Sequence, residues 1–213
     1  MNKYVSFPWM GTMKIYSTTM GKGGPSDGGE SLNSLHEEIK SCSRCPLAAG
    51  RKNAVPGEGP DRAEILLVGE APGRDEDLAG RPFVGRAGSV LNRCLQDAGI
   101  HRSEVFITNV VKCRPPGNRR PKREEVKACR PYLESQMELV RPKVVILMGN
   151  AATRAVLDTE GVTSLRGRIY RDLFFVTFHP AAILRNVNFR ESFVADLSAA
   201  RERAQRERAE KSR

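Results

Sequence analysis

The chain of 213 residues is 39% hydrophobic and 28% charged, the balance of a soluble protein long enough for one well-buried domain. Its 35 lysines and arginines against 25 acids leave a net charge of +10, which points to a polyanionic partner, nucleic acid above all. No apolar stretch approaches the roughly 20 residues that span a bilayer, and the first residues lack the apolar core and cleavage site of a secretory signal, so a cytoplasmic monomer is expected.

In chain order, residues 1–33 read as a flexible extension, because the run from Gly21 to Gly29 is glycine-rich and cannot build a core. Leu35 and Ile39 predict a short helix over Ser34 to Ser41, which runs into the C-x-x-C turn Cys42-Ser43-Arg44-Cys45. Residues 46–63 are rich in proline and glycine and predict loop. The unbroken apolar run Ile65 to Val68, followed by Gly69-Glu70-Ala71-Pro72-Gly73, predicts a buried strand of a parallel sheet. The loop beyond such a strand lies at the carboxyl edge, where open α/β folds bind ligands. This loop carries Glu70, Asp75, Glu76 and Asp77, then Pro82-Phe83-Val84-Gly85. Its carboxylates would repel a phosphate. It suits a neutral, flat, hydrogen-bonding ligand stacked on Phe83.

Gly88 to Gly99 predicts a helix with Cys94 on its apolar face, and Val105 to Val111 a second buried strand. The basic loop Lys112 to Pro121 follows, then a helix over Lys122 to Val140. Lys143 to Met148 predicts a third strand with a helix from Gly149, and Leu173 to Phe178 a fourth, ending in His179-Pro180. A last helix from Phe189 becomes a charged tail over residues 201–213. Strands alternating with helices give a three-layer α/β/α sandwich around a four-stranded parallel sheet, with residues 34–200 as its one domain. Each strand delivers a polar group near its carboxyl end: Glu70, Asn109, Asn150 and His179.

Of five cysteines, Cys94 reads as core. Cys42, Cys45, Cys113 and Cys129 form a set suited to an all-cysteine site, either zinc or a four-iron cluster. Their spacing matches neither the usual zinc ribbon nor the compact ferredoxin run; it leans towards a cluster and leaves zinc, or plain core cysteines, open.

GEAPG with Glu76-Asp77 following, GRPFVG, ITNVVKCRPPGNRRP, MGNAA and FHPAA, in that order between about Leu35 and Ala200, resemble the family 4 uracil-DNA glycosylases, iron–sulfur enzymes of archaea and bacteria. The resemblance implies a [4Fe–4S] cluster on Cys42, Cys45, Cys113 and Cys129, and the α/β/α glycosylase fold. It also implies a uracil swung out of DNA into the pocket. There Phe83 stacks on the ring, Asn109 reads N3–H and O4, Glu76 excludes a methyl at position 5, and His179 donates to O2. Ala71 and Gly73 line the same loop. Family 1 enzymes carry an aspartate where Ala71 stands, so a direct base is missing, and Glu70 and Asn118 are the candidates for holding the water. A related DNA-crosslinking group carries glutamine at Ala71 and an inserted loop, neither of which is present. Arg114, Arg119, Arg120, Arg166, Arg168 and Arg185 are expected on DNA phosphates, of single- or double-stranded DNA. A sliding clamp is a candidate partner for the tail. Against this enzyme stand a non-catalytic iron–sulfur DNA-binding accessory protein and a glycosylase that also accepts hypoxanthine or xanthine.

Overall fold

The computed structural model describes the backbone of Lys3–Ser6, Thr12–Ile15 and residues 31–210, with side chains over residues 31–206. Within the expected extension, Lys3–Ser6 (β1) and Thr12–Ile15 (β2) pair as an antiparallel hairpin. The glycine-rich run 21–29, expected to be a flexible linker, lies outside the described residues.

The main unit starts earlier than its apolar spacing indicates. Ser31 Oγ accepts from the Ser34 amide (3.1 Å) and Ser34 Oγ from the Ser31 amide (2.9 Å), a reciprocal cap that opens Leu32–Ser41 (α1). There follow Leu47–Gly50 (α2), Ile65–Gly69 (β3), Arg74–Ala79 (α3), Arg86–Asp97 (α4), Val105–Asn109 (β4) and Arg123–Val140 (α5). Val144–Met148 (β5), Gly149–Leu157 (α6), Val162–Leu165 (α7), Ile169–Tyr170 (β6), Phe174–Thr177 (β7), Pro180–Arg185 (α8) and Phe189–Glu210 (α9) are the remaining strands and α-helices among the described residues.

The sheet runs β4-β3-β5-β7-β6. Its first four strands are parallel and buried at every position, as strands covered on both faces must be. The fifth corrects the expected four: Ile169 and Tyr170 pair antiparallel with β7. Two half-exposed residues carry no period that a sequence could display. The step from β3 to β4 and the return across β3 to β5 run in opposite directions, so right-handed crossovers put α4 and α5 on opposite faces. α8 and α9 join α4, while α1 lies on α5.

The charged stretch expected as a tail from Arg201 begins within a helix. α9 continues to Glu210, and Ala200 and Ala204 are buried among its arginines. Small residues one turn apart are enough to seat that face. On the same helix Asp196 is 3% exposed. It accepts from Arg166 Nε (2.9 Å) and Nη2 (2.7 Å) and from the Thr177 hydroxyl (2.7 Å). Burial pushes its carboxyl up and these donors oppose that. Arg166, expected on a phosphate, is thus engaged by Asp196, tying the end of α7 to α9. Arg166→Met should strand a buried carboxylate and destabilise the protein by about 3 kcal/mol, read from a denaturant melt, while the salt dependence of DNA binding stays unchanged.

Candidate active site

The carboxyl ends of β3 and β4 meet at Gly69. Gly69 pairs with Asn109 across the sheet, and a Cβ on it would lie 2.3 Å from Asn109 Oδ1 and 2.7 Å from Phe83 Cζ. Only a residue without a side chain leaves the amide and the ring their common space. Asn109 is 2% exposed, yet its Oδ1 is a buried acceptor with no donor. Such an orphan costs about 1–3 kcal/mol, which an incoming N–H would recover.

Phe83 sits between α3 and α4, buried, with φ 51°. That left-handed backbone is unfavourable for an aromatic residue. Gly88 accepts it from below, since a Cβ there would fall 1.9 Å from the Phe83 carbonyl oxygen. Glu76 ties the loop: its Oε1 accepts from the Val84 and Gly85 amides (2.9 Å each) and its Oε2 from the Gly73 amide (3.0 Å). The carboxylate expected to crowd a base is therefore also the staple of the loop that carries Phe83. It holds the Gly73 amide as well.

His179 caps α8, its Nδ1 accepting from the Ala181 amide (3.1 Å). Its ring centroid lies 5.7 Å from that of Phe83, at 35°. Gly149, at φ 87°, clears its path, because a Cβ there would meet His179 Cβ at 2.9 Å. Burial, with the nearby Arg185 charge, lowers the imidazole to about 4. The ring is neutral near pH 7, and because Nδ1 accepts, the proton sits on Nε2.

The other expected residues divide. Glu70, next after Gly69, is half-buried; burial raises its carboxyl above the ordinary range against the pull of Arg120. Ala71 is half-exposed on the same loop. Asn118 stands on an exposed turn at φ 56° with its Oδ1 taken by Arg114 Nε (2.7 Å), so that amide serves the loop. Asn150 is turned away: its Oδ1 accepts from the Gly161 and Val162 amides (3.1 and 2.9 Å) at the start of α7. Arg119 forks onto Glu125 (2.9 and 2.6 Å). Lys112, first of the basic loop, is 1% exposed, its Nζ donating to Thr108 Oγ1, the Asn109 carbonyl and Gln136 Oε1 at 2.6–2.7 Å. Arg120, Arg168 and Arg185 remain exposed. Leu184 and Val187, just beyond His179, are 43% and 69% exposed. Sequence reasoning passed over both, although two large apolar residues among polar ones on a short segment were the available signal.

Cys42, Cys45, Cys113 and Cys129 line one small cavity, together with Arg51, Lys112 and Tyr132. N–H groups reach three of the sulfurs: Arg51 Nη1 to Cys113 (3.1 Å), the Lys112 amide to Cys129 (3.3 Å) and the Arg44 amide to Cys42 (3.5 Å). Burial pushes the Cys129 thiol up to about 11 and Cys113 up as well, so thiolates here need a positive partner. Among the described residues no three His, Cys, Asp or Glu gather as ligands of a single metal ion.

One pH effect follows from His179. The unfolded ring takes its proton near 6.5 and the folded one only near 4, so the unfolded state binds more protons between those values. Stability is then lost as the pH falls through that window. Melting temperature should drop more steeply from pH 6.5 to about 4 in the native protein than in His179→Gln.

The family model of the Uracil DNA glycosylase superfamily matches residues 56–199. A type-4 uracil-DNA glycosylase of Pyrobaculum aerophilum is 46% identical over 179 residues, 78% of this chain and 91% of that protein. Those of Sulfurisphaera tokodaii and Saccharolobus solfataricus are 44% and 42% identical, covering 82% and 81% of this chain and 86% of each relative. With a pocket of this composition at the sheet edge and relatives matched along nearly their whole length, the chain belongs to the uracil-DNA glycosylase superfamily, in its type-4 group.

Proposed function

We propose that this protein excises uracil from DNA, hydrolysing the bond between the base and its deoxyribose. The observation that carries this is the orphaned Oδ1 of Asn109 beside the Phe83 ring, with a neutral His179 across it. A base swung out of the duplex stacks on Phe83. Asn109 Oδ1 accepts from N3–H and its Nδ2 donates to O4. Cytosine presents an acceptor at N3 and a donor at position 4, leaving both amide atoms opposed, which slows its excision by orders of magnitude. Glu76, held by the Val84 and Gly85 amides just after Phe83, walls off position 5.

As the glycosidic bond breaks, negative charge gathers on uracil O2. His179 Nε2–H donates there, and the capped Nδ1 keeps that tautomer. The sugar is left with oxocarbenium character, for which a weak base suffices to guide water. Glu70 is the carboxylate placed for it, Ala71 having none to offer. Arg120, Arg168 and Arg185 supply phosphate contacts. Leu184 and Val187, exposed next to Arg185, are the apolar side chains that can fill the vacated stack.

The four cysteines suit a [4Fe–4S] cluster better than zinc, since they surround a cavity and do not gather on one point. Such a cluster supplies a rigid, charged cross-link between the residues 42–45 turn and the basic loop. Hydrolysis asks nothing redox of it. An accessory binder without catalysis has no use for an unpaired buried amide set beside an aromatic ring and a neutral histidine.

A uracil-containing oligonucleotide incubated with the protein and heated in alkali should break at the uracil position, and a thymine control should stay intact; no break rejects the proposal. Asn109→Asp should lose at least about 100-fold in uracil excision, with any new activity falling on cytosine. His179→Ala should slow cleavage by about 100-fold or more with DNA affinity nearly unchanged; equal losses in both would contradict its role. Cys129→Ser should lose the visible absorbance and the iron and sulfide that the native protein carries.

A further inference from the structure

Arg102 precedes β4 in the single turn Arg102–Glu104, and its guanidinium is aimed back at the loop that carries the stacking ring. Nη2 donates to the Pro82 carbonyl (2.7 Å) and Nη1 to the Phe83 carbonyl (3.4 Å) and to Asn92 Oδ1 on α4 (2.8 Å). The same guanidinium forks onto Glu58 Oε1 through Nε (3.1 Å) and Nη2 (2.6 Å). Glu58 is itself fixed. Its amide donates to the Ile107 carbonyl (3.0 Å), its carbonyl accepts from the Ile107 amide (2.8 Å), and Ile107 lies on β4 two residues before Asn109. One ion pair therefore runs from the strand that presents the amide to the backbone that presents the ring. It grips that backbone where φ is 51°, a conformation that persists only when its surroundings over-determine it.

We propose that Arg102, anchored by Glu58, is a positioning residue that fixes the Phe83 ring over the Asn109 amide and so sets how firmly the base is captured. This rests on the uracil reading of the pocket. A lysine cannot take the place of Arg102, since several planar donors are used at once in a fixed fork.

Single-turnover excision measured in a double-mutant cycle tests the proposal. Arg102→Met should slow uracil release about 20-fold in the native background but less than about threefold when Phe83 is already Leu, because residues acting through one another are not additive. Arg102→Lys should behave like Arg102→Met. Losses that multiply across the cycle would mean a general structural role and overturn the proposal. If Arg102→Met does not fold, Glu58→Gln replaces it in the cycle with the same expectation. Trypsin gives a second readout that needs no activity. Cleavage after Arg86, three residues beyond Phe83, should be faster at least tenfold in Arg102→Met; unchanged cleavage overturns the clamp. Should the native protein release no uracil, the functional reading fails while the trypsin result still decides the clamp.

Discussion

A side chain on Gly69 would occupy the space in which Asn109 and Phe83 come together, since a Cβ there would sit 2.3 Å from one and 2.7 Å from the other. Everything at the pocket follows from that omission. β3 and β4 are in register at Gly69 and Asn109, so the amide stands over a bare backbone. The ring from the α3–α4 loop closes the same space from the side, and His179 faces it from the end of β7. Three segments distant in sequence are brought to one place by the order of strands in a parallel sheet. What they bring together is an aromatic face, an unpaired acceptor and a neutral imidazole.

The polar groups around this gap are held by second partners that do not touch a base. The Ala181 amide occupies Nδ1 of His179 and leaves the donor on the other nitrogen. Glu76 closes three loop amides and Arg102 two loop carbonyls. Lys112 binds the carbonyl of Asn109 through Nζ, while its own amide points at Cys129. Lys112 thus touches both the cysteine cavity and Asn109. A group held by Cys113 and Cys129 would also pin the end of β4 through Lys112.

Much of this was legible beforehand. The four apolar runs became the four parallel strands because strands buried on both faces have no polar positions to hide them. Phe83, Asn109 and His179 each follow such a run or lie in the loop after it, and the structure brings them together. Charge was less informative. Arg119, Arg166 and Lys112 look alike as basic residues, yet each is matched inside the fold, Arg166 by Asp196 thirty positions away. Sequence spacing cannot disclose such a partner. Asn118 and Asn150 show the same ambiguity: an asparagine after a strand can face a ligand or satisfy its own loop, and here the Arg114 guanidinium holds the one and two loop amides the other. The two-residue strand β6 and the continuation of α9 past Arg201 depend on packing against elements far along the chain.

The central claim is that one planar base fits between Phe83, Asn109 and His179, and a crystal of the protein soaked with free uracil tests it most directly. The ring should lie parallel to Phe83, with N3 within hydrogen-bond distance of Asn109 Oδ1 and O2 within that distance of His179 Nε2. Uracil bound elsewhere, or held in this gap with neither contact, would contradict the account.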